Sequence, residues 1–199
     1  MPDVDAVREH YDRAAGEYAR RFSRGPLGVL RAREWRVVRA LLAPRRGESL
    51  LDAGSGPGSY AVRLVALGLR VRAVDLSPRM VEAARDRGVD ASVADLGDLD
   101  LPERFDKVLC AGALEFCPEP LRVLSRLVAH LAPSGRLVLL YPTQTPCGRL
   151  YRAYHSRRGV RVRLFDFQTL AGTLERLGLE VQAYRVATPL SAVISAELP

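Results

Sequence analysis

Five short apolar segments, at residues 49–53, 70–75, 90–94, 105–110 and 136–141, alternate along this chain with longer amphipathic stretches, and no other feature restricts the possible fold as strongly. Each segment is too brief for an independent helix and reads as a strand. The stretches 59–67, 78–87, 121–131 and 166–177 read as helices. Their punctuation agrees, with Ser77 ahead of Pro78 at one start and Gly68, Gly88 and Gly178 just past three ends, matching cap chemistry. Strand and helix in alternation imply right-handed crossovers and a mainly parallel sheet covered on both faces. The last two strands, 181–187 and 192–198, are separated only by 188–191. That gap is too short for a crossover, so they should pair as an antiparallel hairpin.

Ahead of the first strand, Val4, Val7, Tyr11, Ala14 or Ala15, Tyr18 and Phe22 recur at steps of three and four, as on one face of an amphipathic helix. Gly25 and Pro26 break it, and 27–43 reads as a second helix stopped by Pro44. With 199 residues in all, one domain is expected, an N-terminal helical cap over 1–43 and a core over 48–199. A composition of 48% hydrophobic and 27% charged residues excludes a disordered or fibrous chain.

No apolar stretch approaches the ~20 residues that cross a bilayer, and the start is too charged for a secretory signal. A cytoplasmic protein without a membrane partner is expected. Cys110, Cys117 and Cys147 form no C-x-x-C pair and are odd in number, which argues against a disulfide framework and against a structural metal. The net charge of +7 raises the question of nucleic acid, but 29 of the 30 basic residues are arginines spread through the chain, so that partner is not favoured. One interval differs. Between Pro142 and Leu164 there are six arginines and no acid.

Ligands of an open parallel sheet bind beyond the carboxyl ends of its strands. Here the first strand runs into Asp52-Ala53-Gly54-Ser55-Gly56-Pro57-Gly58-Ser59, a glycine-rich turn before a helix that offers unpaired N–H donors to an anionic group. The second strand ends at Asp75, 21 residues after Gly54, where a carboxylate can accept both hydroxyls of a ribose. Met80 follows on the next helix, a flexible apolar side chain that suits either a purine face or the core. The third strand ends at Asp95 and Leu96, where a carboxylate could accept an exocyclic amine and the adjacent backbone could donate to a ring nitrogen. The three strand ends thus succeed one another in the order an adenosyl ligand needs. A nicotinamide site is disfavoured, because its usual G-x-G-x-x-G spacing is not the alternate spacing of Gly54, Gly56 and Gly58.

Leu51-Asp52-Ala53-Gly54-Ser55-Gly56-Pro57-Gly58, Ala73-Val74-Asp75-Leu76-Ser77-Pro78-Arg79-Met80 and Ala94-Asp95-Leu96 resemble the successive motifs of class I S-adenosylmethionine-dependent methyltransferases of the small-molecule, type 11 kind. The resemblance extends from about Tyr11 to the end. It implies a Rossmann-like α/β fold with a seven-stranded sheet of order 3-2-1-4-5-7-6, strand 7 antiparallel and helices on both faces. It also implies that Gly54, Gly56 and Gly58 line the methionine part of the cofactor, that Asp75 holds its ribose, and that Asp95 and Leu96 hold its adenine, with Leu76 and Met80 counted among the cofactor-binding residues. Asp52 would brace the loop and the amino group, and Tyr11 and Tyr18 would belong to a helix closing over the cofactor. Where many relatives have a histidine after the acid beyond strand four, this chain has Leu114-Glu115-Phe116, and it has no Asn-Pro-Pro-Tyr tetrad.

The expected reaction is methyl transfer to an O, N or C atom of a small molecule, an in-line displacement in which positioning supplies most of the catalysis. Nucleic-acid methylation and cofactor binding without catalysis are the competing readings. A general base is optional, with His10, Glu115, Tyr141 and His155 as its candidates and no metal ligand set. Residues 142–164 read either as a substrate lid whose guanidinium groups hold an anionic acceptor or as a solvated surface loop. The acceptor's identity and the oligomeric state are not written in these residues.

Overall fold

In the computed structural model, residues 4–21 and 25–199 are described, the side chains of 17–21 and 25–26 excepted. Two helices, α1 (Val4–Arg21) and α2 (Gly25–Leu42), precede the sheet. Then come β1 (Ser49–Ala53), α3 (Ala61–Ala66), β2 (Arg70–Asp75), α4 (Pro78–Arg85), β3 (Asp90–Val93) and β4 (Phe105–Ala111). A 3-10 turn, Leu114–Phe116, leads to α5 (Pro120–Ala129), β5 (Leu131–Pro142), α6 (Pro146–Ser156), α7 (Phe167–Arg176), β6 (Glu180–Val186) and β7 (Ser191–Glu197). The strands form one sheet in the order β3-β2-β1-β4-β5-β7-β6. Strand β7 runs antiparallel to both neighbours, and the pairs among β1 to β5 are parallel. Order and orientation are those expected above, with the terminal hairpin.

Side chains on successive strand residues point to opposite faces, and the apolar run of each strand therefore feeds two cores. Leu51, Val108, Leu139 and Ile194 pack with Leu124, Leu127, Leu170 and Leu174 of α5 and α7. Leu50, Val71, Leu109 and Val138 pack on the other face with Val38 and Leu42 of α2, Leu64 of α3 and Val81 of α4. Leu50 and Leu51 are both fully buried, each contributing about 1.5–3 kcal/mol. The reversal of strand order between β1 and β4 opens a crevice at their carboxyl ends.

The structure moves three boundaries. The stretch 121–131 divides, because Leu131 already pairs with Phe105 and β5 runs from there, shifting register before Arg136 pairs with Lys107. The irregularity falls where Ser134 takes φ +58. There is no room for a side chain at Gly135, where an added Cβ would lie 2.7 Å from the Ala132 carbonyl oxygen. Residues 142–164, read above as a lid or loop, contain the eleven-residue helix α6. Its start is well specified, with Thr145 as N-cap accepting from the Gly148 N–H and Pro146 in the first turn. In the first helical pair, α2 begins at Gly25, which places Pro26 in its first turn. Phe22 lies outside the described residues.

Candidate functional site

The turn after β1 is held by the neighbouring strand, since the Gly54 and Ser55 N–H groups both donate to the Val74 carbonyl at 2.8 and 3.0 Å. Gly54 has φ +75, and a Cβ there would lie 2.2 Å from the Ala113 Cβ, so the turn reaches the loop after β4 only because no side chain intervenes. Gly56 has φ +54 and would meet nothing within 4 Å. Its empty side faces a cavity of ≈ 260 Å³ at the strand ends. Gly58 is placed differently, packed against Ala84 and Val89 rather than on the cavity wall.

Asp75 closes the end of β2, with Oδ2 accepting from the Gly56 N–H at 2.7 Å and Oδ1 from the Ser77 N–H at 2.9 Å. Each oxygen keeps acceptor capacity toward the cavity. Burial raises its pKa against the opposing effect of these two N–H groups. Asp95 is pinned in the same style, its Oδ1 taking the Gly97 N–H at 2.8 Å. Leu76, Met80 and Leu96 supply the apolar wall between the two carboxylates. Asp52 lies behind the turn, 1% exposed and off the wall, with one oxygen unpartnered. Burial, then the nearby Asp75 charge, raise its pKa to about 7, while an N–H bond from Ala61 lowers it.

Helix α1 forms the roof through Val4, Val7 and Tyr11. Asp12 fastens it to α4 by accepting from the Ser77 hydroxyl and from the Arg79 N–H at 3.2 Å. Val7 also joins Phe116, Val160 and Val162 in a small apolar cluster. Around that cluster Tyr11 meets Phe116 edge-on at 5.4 Å, and His155 meets Phe116 at 5.5 Å and His10 at 5.9 Å. Burial, then His10 and Arg158, push His155 down to about 4. Burial, then Arg13 and Arg158, also lower His10.

At the other end Arg31 of α2, Tyr60, Arg63 and Arg87 line the wall. Arg31 pairs with the buried Glu34 at 3.1 Å, and Glu34 in turn accepts from the Ser191 hydroxyl at 2.7 Å. Arg87 donates to the Pro57 carbonyl at 2.8 Å, bracing the glycine turn from outside. Glu115 is buried with one oxygen unpartnered, and burial raises it to about 8. Burial likewise pushes the thiol of Cys117, on the wall, up to about 12.

Of the residues singled out from sequence, Tyr11, Gly54, Gly56, Asp75, Leu76, Met80, Asp95 and Leu96 come together around the one cavity. Asp52 and Gly58 support it from behind. The Tyr18 side chain lies outside the described residues. His10, Glu115, Tyr141 and His155 are all off the wall, Tyr141 being 1% exposed and meeting Phe165 edge-on in the core. None of the six arginines of 142–164 lines the cavity either. No cluster of three or more metal-ligating side chains occurs among the described residues. Sequence reading missed Arg31, Tyr60 and Asp12. Asp12 follows Tyr11 directly in the α1 motif, while nothing in the α2 sequence sets Arg31 apart from its neighbouring arginines.

Residues 51–139 match the family model described as a methyltransferase domain. The ubiquinone biosynthesis O-methyltransferase of Xanthomonas campestris pv. campestris is 34% identical over 108 residues, which are 50% of this chain and 45% of that protein. The chain thus spans about half the length of the curated relatives it matches. Among solved structures, magnesium protoporphyrin IX methyltransferase from Synechocystis PCC 6803 with bound SAH superposes with a TM-score of 0.80 at 20% identity, over 99% of this chain and 100% of the other. A possible histamine N-methyltransferase from Thermotoga maritima gives 0.78 at 24% identity, over 96% and 99%. The likeness to these structures extends over the whole sheet and its flanking helices and shows that the fold is shared.

Proposed function

We propose that the chain transfers a methyl group from S-adenosylmethionine to an O, N or C atom of a small molecule. The observation that carries this reading is the convergence of the Gly56 opening, the Asp75 carboxylate and the Asp95 carboxylate on a single cavity roofed by α1. Bound there, S-adenosylmethionine supplies a methyl group on a sulfonium already charged for displacement.

The residues fit that molecule by their chemistry. The glycine turn leaves space beside its N–H groups, and Arg31 and Arg63 give the wall cations suited to an amino-acid carboxylate. Asp75 retains a lone pair on each oxygen for two ribose hydroxyls, and their donation would favour its ionised form against the burial that now opposes it. Asp95 offers its second oxygen to an exocyclic amine, with Met80 and Leu96 as apolar neighbours.

Roof and wall together hold reactants in line and exclude water, an orientation effect worth on the order of 7–11 kcal/mol in favourable models. No acid or base is required for the displacement itself. That His10, Glu115, Tyr141 and His155 all stand off the wall supports a reaction driven by positioning. The small cavity supports a small acceptor. No described helix is long and apolar enough to cross a membrane, and the three free cysteines suit a reducing, cytoplasmic setting.

Titration calorimetry with S-adenosylmethionine and S-adenosylhomocysteine tests the proposal. Binding of both, weakened about 100-fold or more in Asp75→Ala, is the expected result. Absence of binding by the wild-type protein overturns it.

A further inference from the structure

The six arginines between Pro142 and Leu164 are Arg149, Arg152, Arg157, Arg158, Arg161 and Arg163, and all are exposed. Elsewhere arginines such as Arg8, Arg72, Arg122 and Arg136 each hold a carboxylate. Among the described residues none of these six does. Arg158 instead donates to the Tyr154 carbonyl at 3.3 Å and lies 3.7 Å over the Tyr154 ring. Amid this unbalanced charge stands Leu150, 72% exposed, the most exposed large apolar side chain described. Tyr154, 42% exposed, is one turn further along the same face of α6.

The segment is firmly placed. Val160 and Val162 are buried in the apolar cluster with Val7 and Phe116, while the alternating Arg161 and Arg163 face outward. On α6 the inner side chains Tyr151 and His155 meet at 4.5 Å. A cation-bearing surface is therefore fastened to the rim of the cavity, its charge turned to solvent.

Such a surface combines two properties that a polyanion in solution would use unequally. Guanidinium groups without acids attract phosphates of any kind. An exposed leucine one turn from a tyrosine gains nothing from a nucleic-acid backbone but gains by entering the boundary between headgroups and acyl chains. Tyr154, already covered by Arg158, is poorly placed to stack on a base. We propose that α6 and residues 157–164 form a docking surface for the anionic face of a phospholipid bilayer. Docking here is adsorption and not insertion of a span, and it does not depend on the methyl-transfer reading.

Vesicle flotation with the full chain tests this. The protein should partition onto vesicles of phosphatidylglycerol and phosphatidylcholine, remain free of pure phosphatidylcholine vesicles, and be released by about 0.5 M salt, where screening acts within ~4 Å. Each arginine near an anionic surface is worth roughly fivefold in partition. The combined change Arg149→Glu, Arg152→Glu and Arg157→Glu should therefore lower partition at least ~100-fold. The milder pair Arg149→Gln and Arg157→Gln should lower it roughly 25-fold and guards against misfolding of the triple variant. Leu150→Ala should weaken it roughly tenfold. Melting temperature and S-adenosylhomocysteine binding should not change in the pair or in Leu150→Ala, because none of these side chains holds an ion pair or lines the cavity. Failure to bind phosphatidylglycerol vesicles overturns the proposal, as does binding that a folded charge variant retains. Preferential binding of polyuridylate, with Leu150→Ala without effect, reassigns the surface to nucleic acid and overturns it equally.

Discussion

The strand-end wall and the α1 roof enclose the same cavity but are built in different ways. At the ends of β1, β2 and β3, the two cavity-facing carboxylates are pinned by backbone N–H groups, and the glycine turn after β1 hangs from the Val74 carbonyl. Backbone is fixed by the sheet, and these groups keep their positions whether or not a ligand is present. The roof rests on side chains: Asp12 on α4, Val7 in a four-residue buried cluster, and edge-on aromatic contacts around His155. Contacts of that kind separate as a unit when one helix lifts. Under the proposed function, the preorganised side would recognise the cofactor, while entry and release would fall to the roof.

The sharpest way to break the rigid side is Gly54→Ala. Its Cβ would collide with Ala113 in a left-handed backbone conformation, and the expected cost is about 2–4 kcal/mol with loss of S-adenosylhomocysteine binding, read by thermal melting and calorimetry. Asp75→Ala should cost about 1–3 kcal/mol in the melt, because the Gly56 and Ser77 N–H groups lose their acceptor, and should weaken that binding about 100-fold or more, since two charge-assisted bonds to the ligand go with the carboxylate.

Glu115→Gln addresses stability beneath the site. The Glu115 pKa is about 8 in the fold and near its ordinary 4.5 when unfolded, so the folded state keeps a proton that the unfolded state releases. Its contribution is complete below about pH 4.5 and is lost as pH rises toward 8. The variant should escape that loss, on the order of 3 kcal/mol at pH 8 relative to pH 5, and denaturant melts at both pH values measure it.

On the roof, Asp12→Ala should speed S-adenosylhomocysteine release about tenfold while barely altering its association, because two hydrogen bonds that hold α1 closed are removed. Stopped-flow fluorescence of Trp35, which stands 5.8 Å from the wall residue Tyr60, can follow it. Unchanged release would assign the roof's stability to the apolar cluster alone. The smallest effect belongs to His155→Phe. The His155 pKa lies at about 4 in the fold, below its ordinary 6.5, so its contribution is present above 6.5 and erodes as pH falls from there toward 4. The variant should flatten the acid limb of the stability–pH profile, read by denaturant melts at about pH 5 and pH 7, and leave neutral pH untouched.

Much of the rigid side was legible in the sequence. Asp75 ends β2 and Asp95 lies two residues past the end of β3, and in a parallel sheet the carboxyl end of a strand is a place in space as well as in the chain. Gly58 shows where that correspondence fails. Its spacing matches Gly54 and Gly56, yet it packs on Ala84 and Val89, because within a tight turn alternate residues face different neighbours. The helix inside 142–164 was obscured for another reason, since six arginines read as surface charge while the brief Thr145-Pro146 start signal was the informative part.

From the order of residues alone came the sheet, its glycine turn and the two carboxylates, because strand period, caps and positive-φ turns are local properties that short segments carry with them. The tertiary structure alone decided that Arg31 lines the cavity, that Asp12 ties the roof to α4, and that the four suggested acid–base residues stand off the wall. Those outcomes depend on how α1, α2 and α6 settle against the sheet, and packing between elements distant in sequence is fixed by shape and burial across the whole molecule.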